Sequence, residues 1–143
     1  MSRGFTLLEV TVVLLVLVLA AAIALPRLHA PAGRLDEAAR RLAETATLAR
    51  ERAILGGTPA TVAVDFERAR WTAADVSVAL PTGVRFRDVV GPDGVATWSG
   101  VVRLDLDPAG DPLPARVDLA DDRGGAASVV VPPGDGRAMV VRP

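Results

Sequence analysis

The chain contains no cysteine, so disulfide bonds and metal sites with thiolate ligands are excluded. Lysine, asparagine, glutamine and tyrosine are also absent, and the aromatic residues are three phenylalanines and two tryptophans. The single histidine, His29, provides little material for a Ser-His pair or a histidine metal site. No aspartate pair has a spacing that indicates acid–base catalysis. We therefore expect neither an enzyme nor a bound metal or cofactor.

An excess of charge of one sign is lacking as well. The 16 basic residues, all arginines, face 17 acidic residues, and the net charge is -1. This balance excludes a strong overall field for nucleic acid or anionic lipid. The 143 residues suffice for one small domain and a membrane segment, but not for two cores.

One long apolar run is present at the start of the chain. Residues 5–25 are apolar except for two threonines and Glu9. As a helix this run measures about 31 Å, close to the roughly 30 Å hydrocarbon core of a bilayer. Arg3 precedes it, so the positive-inside tendency predicts a cytoplasmic N-terminus and a periplasmic domain after Pro26.

Glu9 is unexpected in such a run, because a carboxylate near the centre of a spanning helix costs about 2.5–3.5 kcal/mol on insertion scales. Together Gly4, Phe5 and Glu9 resemble the prepilin processing motif, and Pro26 falls where pilins have a proline. The resemblance covers residues 3–28. It implies that a prepilin peptidase cuts between Gly4 and Phe5 and methylates the new amine of Phe5. It also implies that Glu9 pairs with the N-terminal amine of a neighbouring subunit and helps to set the axial register.

Two simpler interpretations compete with this one. The pattern Ala22-Ile23-Ala24 is typical of a secretory signal peptide cleaved after Ala24, and the run could also be a plain single-span anchor. Neither alternative accounts for Gly4, Phe5 and Glu9 together.

A second, amphipathic helix is predicted after Pro26 and Pro31, which break or kink the chain around His29. An apolar stripe recurs at spacings of three and four: Leu35, Ala39, Leu42, Ala46, Ala49 and Ala53. The other faces carry charged residues: Asp36, Glu37, Arg40, Arg41, Glu44, Arg50, Glu51 and Arg52. Gly56-Gly57 ends the helix.

After Gly57 the apolar period changes to two, which predicts short strands separated by turns. The predicted strands are 61–66, 70–72, 75–80, 84–87, 101–107, 115–120, 128–131 and 137–141. The expected fold class is α+β and pilin-like: a long N-terminal helix, half transmembrane and half amphipathic, packed on an antiparallel β-sheet or β-sandwich domain. The expected segments are a leader (1–4), a transmembrane helix (5–28), an amphipathic helix (29–57) and a periplasmic β domain (58–143).

Short segments in the middle of the chain are similar to one branch of the pilin-like proteins. They are residues 48–54 before a Gly-Gly break, a strand ending in Asp65, Trp71, residues 80–84 and Gly136-Arg137. In these segments the chain resembles the GspH-type minor pseudopilins of type II secretion and the related FimT/FimU-type minor pilins.

That resemblance implies a subunit near the tip of a pseudopilus that drives export of folded proteins across the outer membrane. The implied partners are prepilin peptidase, other major and minor pseudopilins, the inner-membrane assembly platform and membrane lipid. The implied location is the inner membrane, crossed once, with the C-terminal domain in the periplasm.

The alternative is a FimT/FimU-like minor type IV pilin in pilus assembly or DNA uptake. Some such pilins hold DNA with arginines near the C-terminus, where this chain has Arg137 and Arg142 but no arginine two positions after Arg137. Arg85 and Arg87 share a strand face and could add to a patch. Because the chain is slightly acidic overall, we do not expect nucleic acid as a partner.

One segment resembles the start of a calcium loop, with Asp105, Asp107 and Asp111 at its first, third and seventh positions. Ala109 occupies the fifth position and Arg116 the twelfth, where a bidentate glutamate belongs. An acidic strand edge and turn is therefore the favoured interpretation, and residues 121–125 are read as a hairpin turn.

Overall fold

The computed structural model describes residues 7–28, 33–73, 75–109, 114–134 and 136–142, with only the backbone described for residues 22–28. The chain divides into two compact units, one within residues 1–31 and one within residues 32–143. Each unit is described by itself.

The first unit contains helix α1, Leu7–Leu28, whose sequence is apolar except for Glu9, Thr11 and Arg27. Glu9 lies in its first turn, where a carboxylate interacts favourably with the helix dipole. The Thr11 hydroxyl donates a hydrogen bond of 2.8 Å to the Leu7 carbonyl oxygen and so satisfies its polar group within the helix. Among the residues described, no helix has both the length and the apolarity needed to cross a membrane.

The second unit begins with helix α2, Arg34–Gly56. Its first turn contains Asp36 and Glu37, whose backbone N–H groups donate to the Gly33 carbonyl oxygen. The helix ends at Gly57, which adopts a left-handed φ of 63° that favours glycine. The predicted apolar stripe is confirmed and is wider than expected, because Ala38 and Ala43 are buried with it.

The prediction for Arg50 was wrong, since this side chain is only 2% exposed instead of lying on the charged face. Ala46 and Ala53, at i−4 and i+3, are on the same helix face and are buried, so Arg50 points into the domain. The guanidinium is tolerated there because its Nη1 donates a hydrogen bond to the Gly134 carbonyl oxygen.

In the described part of the chain after α2 there are nine strands: β1 (Ala60–Asp65), β2 (Arg70–Ala73), β3 (Val76–Ala79), β4 (Val84–Val90), β5 (Ala96–Thr97), β6 (Val101–Leu106), β7 (Ala115–Asp121), β8 (Ala126–Val131) and β9 (Met139–Val141). They form a four-stranded sheet in the order β3-β2-β1-β6 and a five-stranded sheet in the order β5-β4-β7-β8-β9. All the strand pairs are antiparallel. The eight predicted strands are confirmed, and β5 is an addition to them.

The core lies between α2 and the inner faces of both sheets. Strand alternation supplies it, as in β1, where Val62 and Val64 are buried and their neighbours are not. An aromatic contact joins the sheets. The rings of Trp71 on β2 and Phe86 on β4 meet edge to face, with their centroids 6.3 Å apart. The Trp71 Nε1 also donates a hydrogen bond of 2.9 Å to the Thr45 hydroxyl of α2. The tryptophan therefore fixes the helix to both sheets.

Candidate assembly surfaces

The residues predicted for processing lie at the start of the chain. Gly4 and Phe5 are outside the described residues, and Glu9 is exposed in the first turn of α1. Position 5 precedes Glu9 by four residues, about one helical turn.

The surface of α1 differs from that of a helix in a water-soluble domain. Its large apolar side chains between Leu7 and Leu19 are 47–89% exposed. A helix that is apolar on all sides is stable when other apolar material surrounds it, either lipid or further helices. Within its own unit the large apolar side chains of α1 are therefore left exposed.

The second unit has an exposed apolar patch where the chain passes from one sheet to the other. Val95, Trp98 and Val101 lie within seven residues, and Trp98 is 71% exposed. Exposed tryptophan is enriched in protein interfaces because its ring buries a large area at low entropic cost. The apolar periodicity of the sequence did not predict this patch, although a tryptophan beside Ser99-Gly100 in a turn-rich segment is a signal for an exposed ring.

The two C-terminal arginines named for nucleic acid lie on either side of strand β9. Arg137 is exposed in the preceding loop, whereas the Arg142 Nη2 lies 2.6 Å from the Asp36 Oδ2 of α2. The Ala138 N–H donates a hydrogen bond of 3.1 Å to the Thr47 hydroxyl. These contacts attach the C-terminal segment to α2 at both ends, and the charge of Arg142 is offset by a carboxylate.

The second arginine pair, on β4, is also matched by acidic residues. Arg85 lies 3.8 Å from Asp122, and Arg87 lies 3.5 Å from Asp118. The strand face that carries Arg85 and Arg87 is consequently a mixed-charge surface.

Two aspartates of the candidate calcium segment, Asp105 and Asp107, form local hydrogen bonds. The Thr61 hydroxyl donates to Asp105 Oδ1 at 2.6 Å, and the Ala109 N–H donates to Asp107 Oδ1 at 2.8 Å. Asp111 lies outside the described residues. In the described part of the chain no group of three metal-ligating side chains occurs. The Asp121 side chain accepts from the N–H groups of Arg123 and Gly125, which confirms the hairpin turn between β7 and β8.

A buried carboxylate on β7 is the other feature that the sequence did not indicate. Asp118 is 3% exposed, and its Oδ2 lies 3.1 Å from the Arg116 Nε and 3.5 Å from the Arg87 Nη2. Burial alone would raise the pKa of Asp118, but hydrogen bonds from Asp88 and Ser128 and the charges of the two arginines outweigh it, so the pKa is lowered. The hydrogen bond with Asp118, burial and the nearby negative charge raise the pKa of Asp88.

Two helices with two antiparallel sheets are consistent with the pilin-like class of α+β proteins. Within that class, the family model of the type II transport protein GspH matches residues 38–141. The match begins in α2 and ends in β9, and it covers more than half of the chain.

The chain therefore belongs to the GspH family of type II secretion pseudopilins, as the sequence predicted. Proteins of this family are structural subunits associated with the pseudopilus and with other pseudopilins, and are not enzymes. No curated protein matches this chain. No solved structure matches it either.

Proposed function

We propose that this protein is a minor pseudopilin that joins the pseudopilus near its tip and contributes to export of folded proteins across the outer membrane. In this proposal it is inserted once in the inner membrane through residues 5–28, with the domain after Pro26 in the periplasm. The observation that supports it most strongly is the exposed apolar helix α1 in a chain that matches the GspH family over residues 38–141.

The membrane assignment is supported by the composition of α1 and its flanks. Residues 5–25 include one charged side chain, and Arg3 precedes them. Burying a leucine or valine side chain away from water contributes about 1.5–3 kcal/mol, so a helix of this composition gains far more from lipid than one glutamate costs. The same side chains later pack against the helices of neighbouring subunits in the filament.

Processing is proposed at the bond between Gly4 and Phe5, by a prepilin peptidase that also methylates the Phe5 amine. Glycine has no Cβ, so the extended backbone can approach the peptidase closely. Cleavage removes residues 1–4 and creates an ammonium group one helical turn from Glu9.

Glu9 is proposed to pair with the Phe5 amine of a neighbouring subunit. In a medium of low dielectric constant an unpaired carboxylate is costly and an ion pair is strong, so the pair favours one axial position. The Val95, Trp98 and Val101 patch is proposed as a contact of the globular domain with another pseudopilin, while the inner-membrane assembly platform adds the subunit to the filament.

The role of Glu9 is tested with Glu9→Val in the full-length chain, expressed together with the other pseudopilins. We expect normal insertion in the membrane but a loss of incorporation into filaments of roughly tenfold or more, since an interaction of about 1.4 kcal/mol corresponds to a factor of ten. Thr11→Val is the matched control, because it also removes a polar group from α1 but leaves the charge. Unchanged incorporation of Glu9→Val would contradict the proposed register contact.

A further inference from the structure

The five-stranded sheet has two aspartates side by side on its outer face. Asp88 on β4 and Asp118 on β7 are partners in the antiparallel register, directly after the irregularity between Phe86 and Asp88. Val117 and Leu119 point into the core, so strand alternation places Asp118 on the opposite face.

The charged and polar groups that face this pair come from its own strands, β4 and β7, and from the adjacent strand β8. Arg87 approaches from β4, Arg116 from β7 and the Ser128 hydroxyl from β8. Both arginines contact the Oδ2 atom of Asp118. This oxygen is therefore well compensated by positive charge.

The remaining oxygen of each carboxyl group is different. Oδ1 of Asp88 and Oδ1 of Asp118 are both buried, and neither has a hydrogen-bond donor among the described residues. The two residues are nevertheless directly opposite each other in the register of β4 and β7, and a hydrogen bond with Asp118 is the main cause that raises the pKa of Asp88. Two ionised carboxylates in this arrangement would leave two buried acceptors unsatisfied and two like charges adjacent. A single proton held between them removes both costs.

We propose that Asp88 and Asp118 share one proton and form a pH-responsive contact in the outer face of the five-stranded sheet. Asp118 remains the ionised partner because two arginines and a hydroxyl stabilise its charge, and Asp88 holds the proton and donates it to Asp118. With the proton bound to Asp88, the two arginines and the Asp118 carboxylate together have a net charge of one positive unit. When the proton leaves, the net charge is zero and the aspartates repel each other across β4 and β7.

The direction of the pH effect follows from the two shifts. Because the pKa of Asp88 is raised, its contribution to stability is complete below about pH 3.9, the usual aspartate value, and is lost as the pH rises through the folded pKa. Because the pKa of Asp118 is lowered, its contribution is present above about pH 3.9 and is lost as the pH falls through the folded pKa. Deprotonation of Asp88 is therefore the event that loosens the contact as acidity decreases.

The experiment is a carboxyl-carbon NMR titration of the full-length chain in detergent micelles, for wild type, Asp118→Asn and the control Asp122→Asn. Asp122 is a suitable control because it is an exposed aspartate that faces Arg85 on the same sheet. We expect the titration midpoint of Asp88 to lie above the usual aspartate range in wild type and in Asp122→Asn. In Asp118→Asn we expect this midpoint to fall to that range or below it. An Asp88 midpoint that is unchanged by Asp118→Asn would overturn the proposal.

A second measurement applies if Asp118→Asn does not fold. Asp88→Asn keeps a hydrogen-bond donor permanently directed at Asp118. The unfolding free energy of this variant should therefore decrease less than that of wild type as the pH rises from about 4 to about 7. Asp122→Asn should follow wild type. Parallel pH profiles for wild type and Asp88→Asn would refute the shared proton.

Discussion

Helices α1 and α2 have nearly the same length, 22 and 23 residues, but opposite surfaces. In α2, nine side chains are buried in the domain, and the exposed remainder is mostly charged, with Leu48, Ile54 and Leu55 as exposed apolar residues. In α1, the side chains of residues 7–21 are all exposed and almost all apolar. The described side chains of α1 are therefore not buried within their own unit, whereas the apolar face of α2 is buried against the sheets.

The two helices differ in what covers their apolar side chains and not in their tendency to form a helix. Apolar side chains stabilise a helix in proportion to the area they remove from water. For α2 that area is covered inside the domain, whereas for α1 we propose that lipid or other subunits cover it. Substitutions at equivalent positions should consequently affect domain folding in one helix and association in the other.

The largest contrast is expected between two leucine truncations. Leu42→Ala removes a fully buried side chain from α2 and should lower the free energy of unfolding by about 2–5 kcal/mol. Leu15→Ala, in the exposed surface of α1, should change it by less than about 0.5 kcal/mol. Urea unfolding of the full-length chain in micelles, followed by tryptophan fluorescence, measures both. Equal losses would contradict the assignment of separate burial partners.

A smaller contrast is expected when alanine is enlarged. Ala49 is completely buried, so Ala49→Leu should overpack the helix against the sheets and cost about 1–3 kcal/mol. Ala20→Leu enlarges an exposed position of α1 and should leave the unfolding free energy of the domain unchanged. The same unfolding assay applies, and a stable Ala49→Leu variant would mean that α2 packs more loosely than described.

The end of α2 gives a third comparison, between adjacent glycines. Gly57→Ala places a Cβ on a residue with φ of 63° and should destabilise the domain by roughly 1–2 kcal/mol. Gly56→Ala is the control, because its Cβ would meet only the Thr58 hydroxyl at an ordinary 3.5 Å. We expect that control to be neutral or stabilising by up to about 1 kcal/mol in thermal unfolding. A reversed order of the two variants would show that the helix does not end at Gly57.

The smallest effect is expected on the charged face of α2. Glu37 and Arg41 form an exposed ion pair of 2.8 Å at i and i+4. Glu37→Gln should lower stability by about 0.3–0.5 kcal/mol at low salt and by less at high salt. Urea denaturation at two salt concentrations measures the loss of unfolding free energy. Glu44→Gln, on the same helix, serves as the comparison variant. A loss above 1 kcal/mol would indicate that Glu37 has a further contact.

Most of the secondary structure followed from local patterns in the sequence. The alternation around Val62 and Val64 and the three-to-four spacing around Leu42 specify which face is apolar, and the Gly-Gly break specifies where α2 ends. Strand order did not follow, because partners such as β1 and β6 are brought together by contacts distant in sequence. Strand β5 was missed because two residues show no period.

The buried charges were missed for a related reason. Arg50 and Asp118 are buried because groups distant in sequence complement them, the Gly134 carbonyl for the first and Arg87 of β4, in addition to the nearby Arg116, for the second. Sequence periodicity contains no information about such partners. The residues proposed for processing and register, Gly4, Phe5 and Glu9, by contrast lie within one short motif, so they can be predicted from the sequence alone.

The most direct test of the account is the mass of the mature N-terminus of the native protein. We predict a chain that begins with methylated Phe5, after loss of the first four residues. A chain that retains residues 1–4, or one that begins at Leu25 after cleavage behind Ala24, would contradict the proposed pseudopilin pathway.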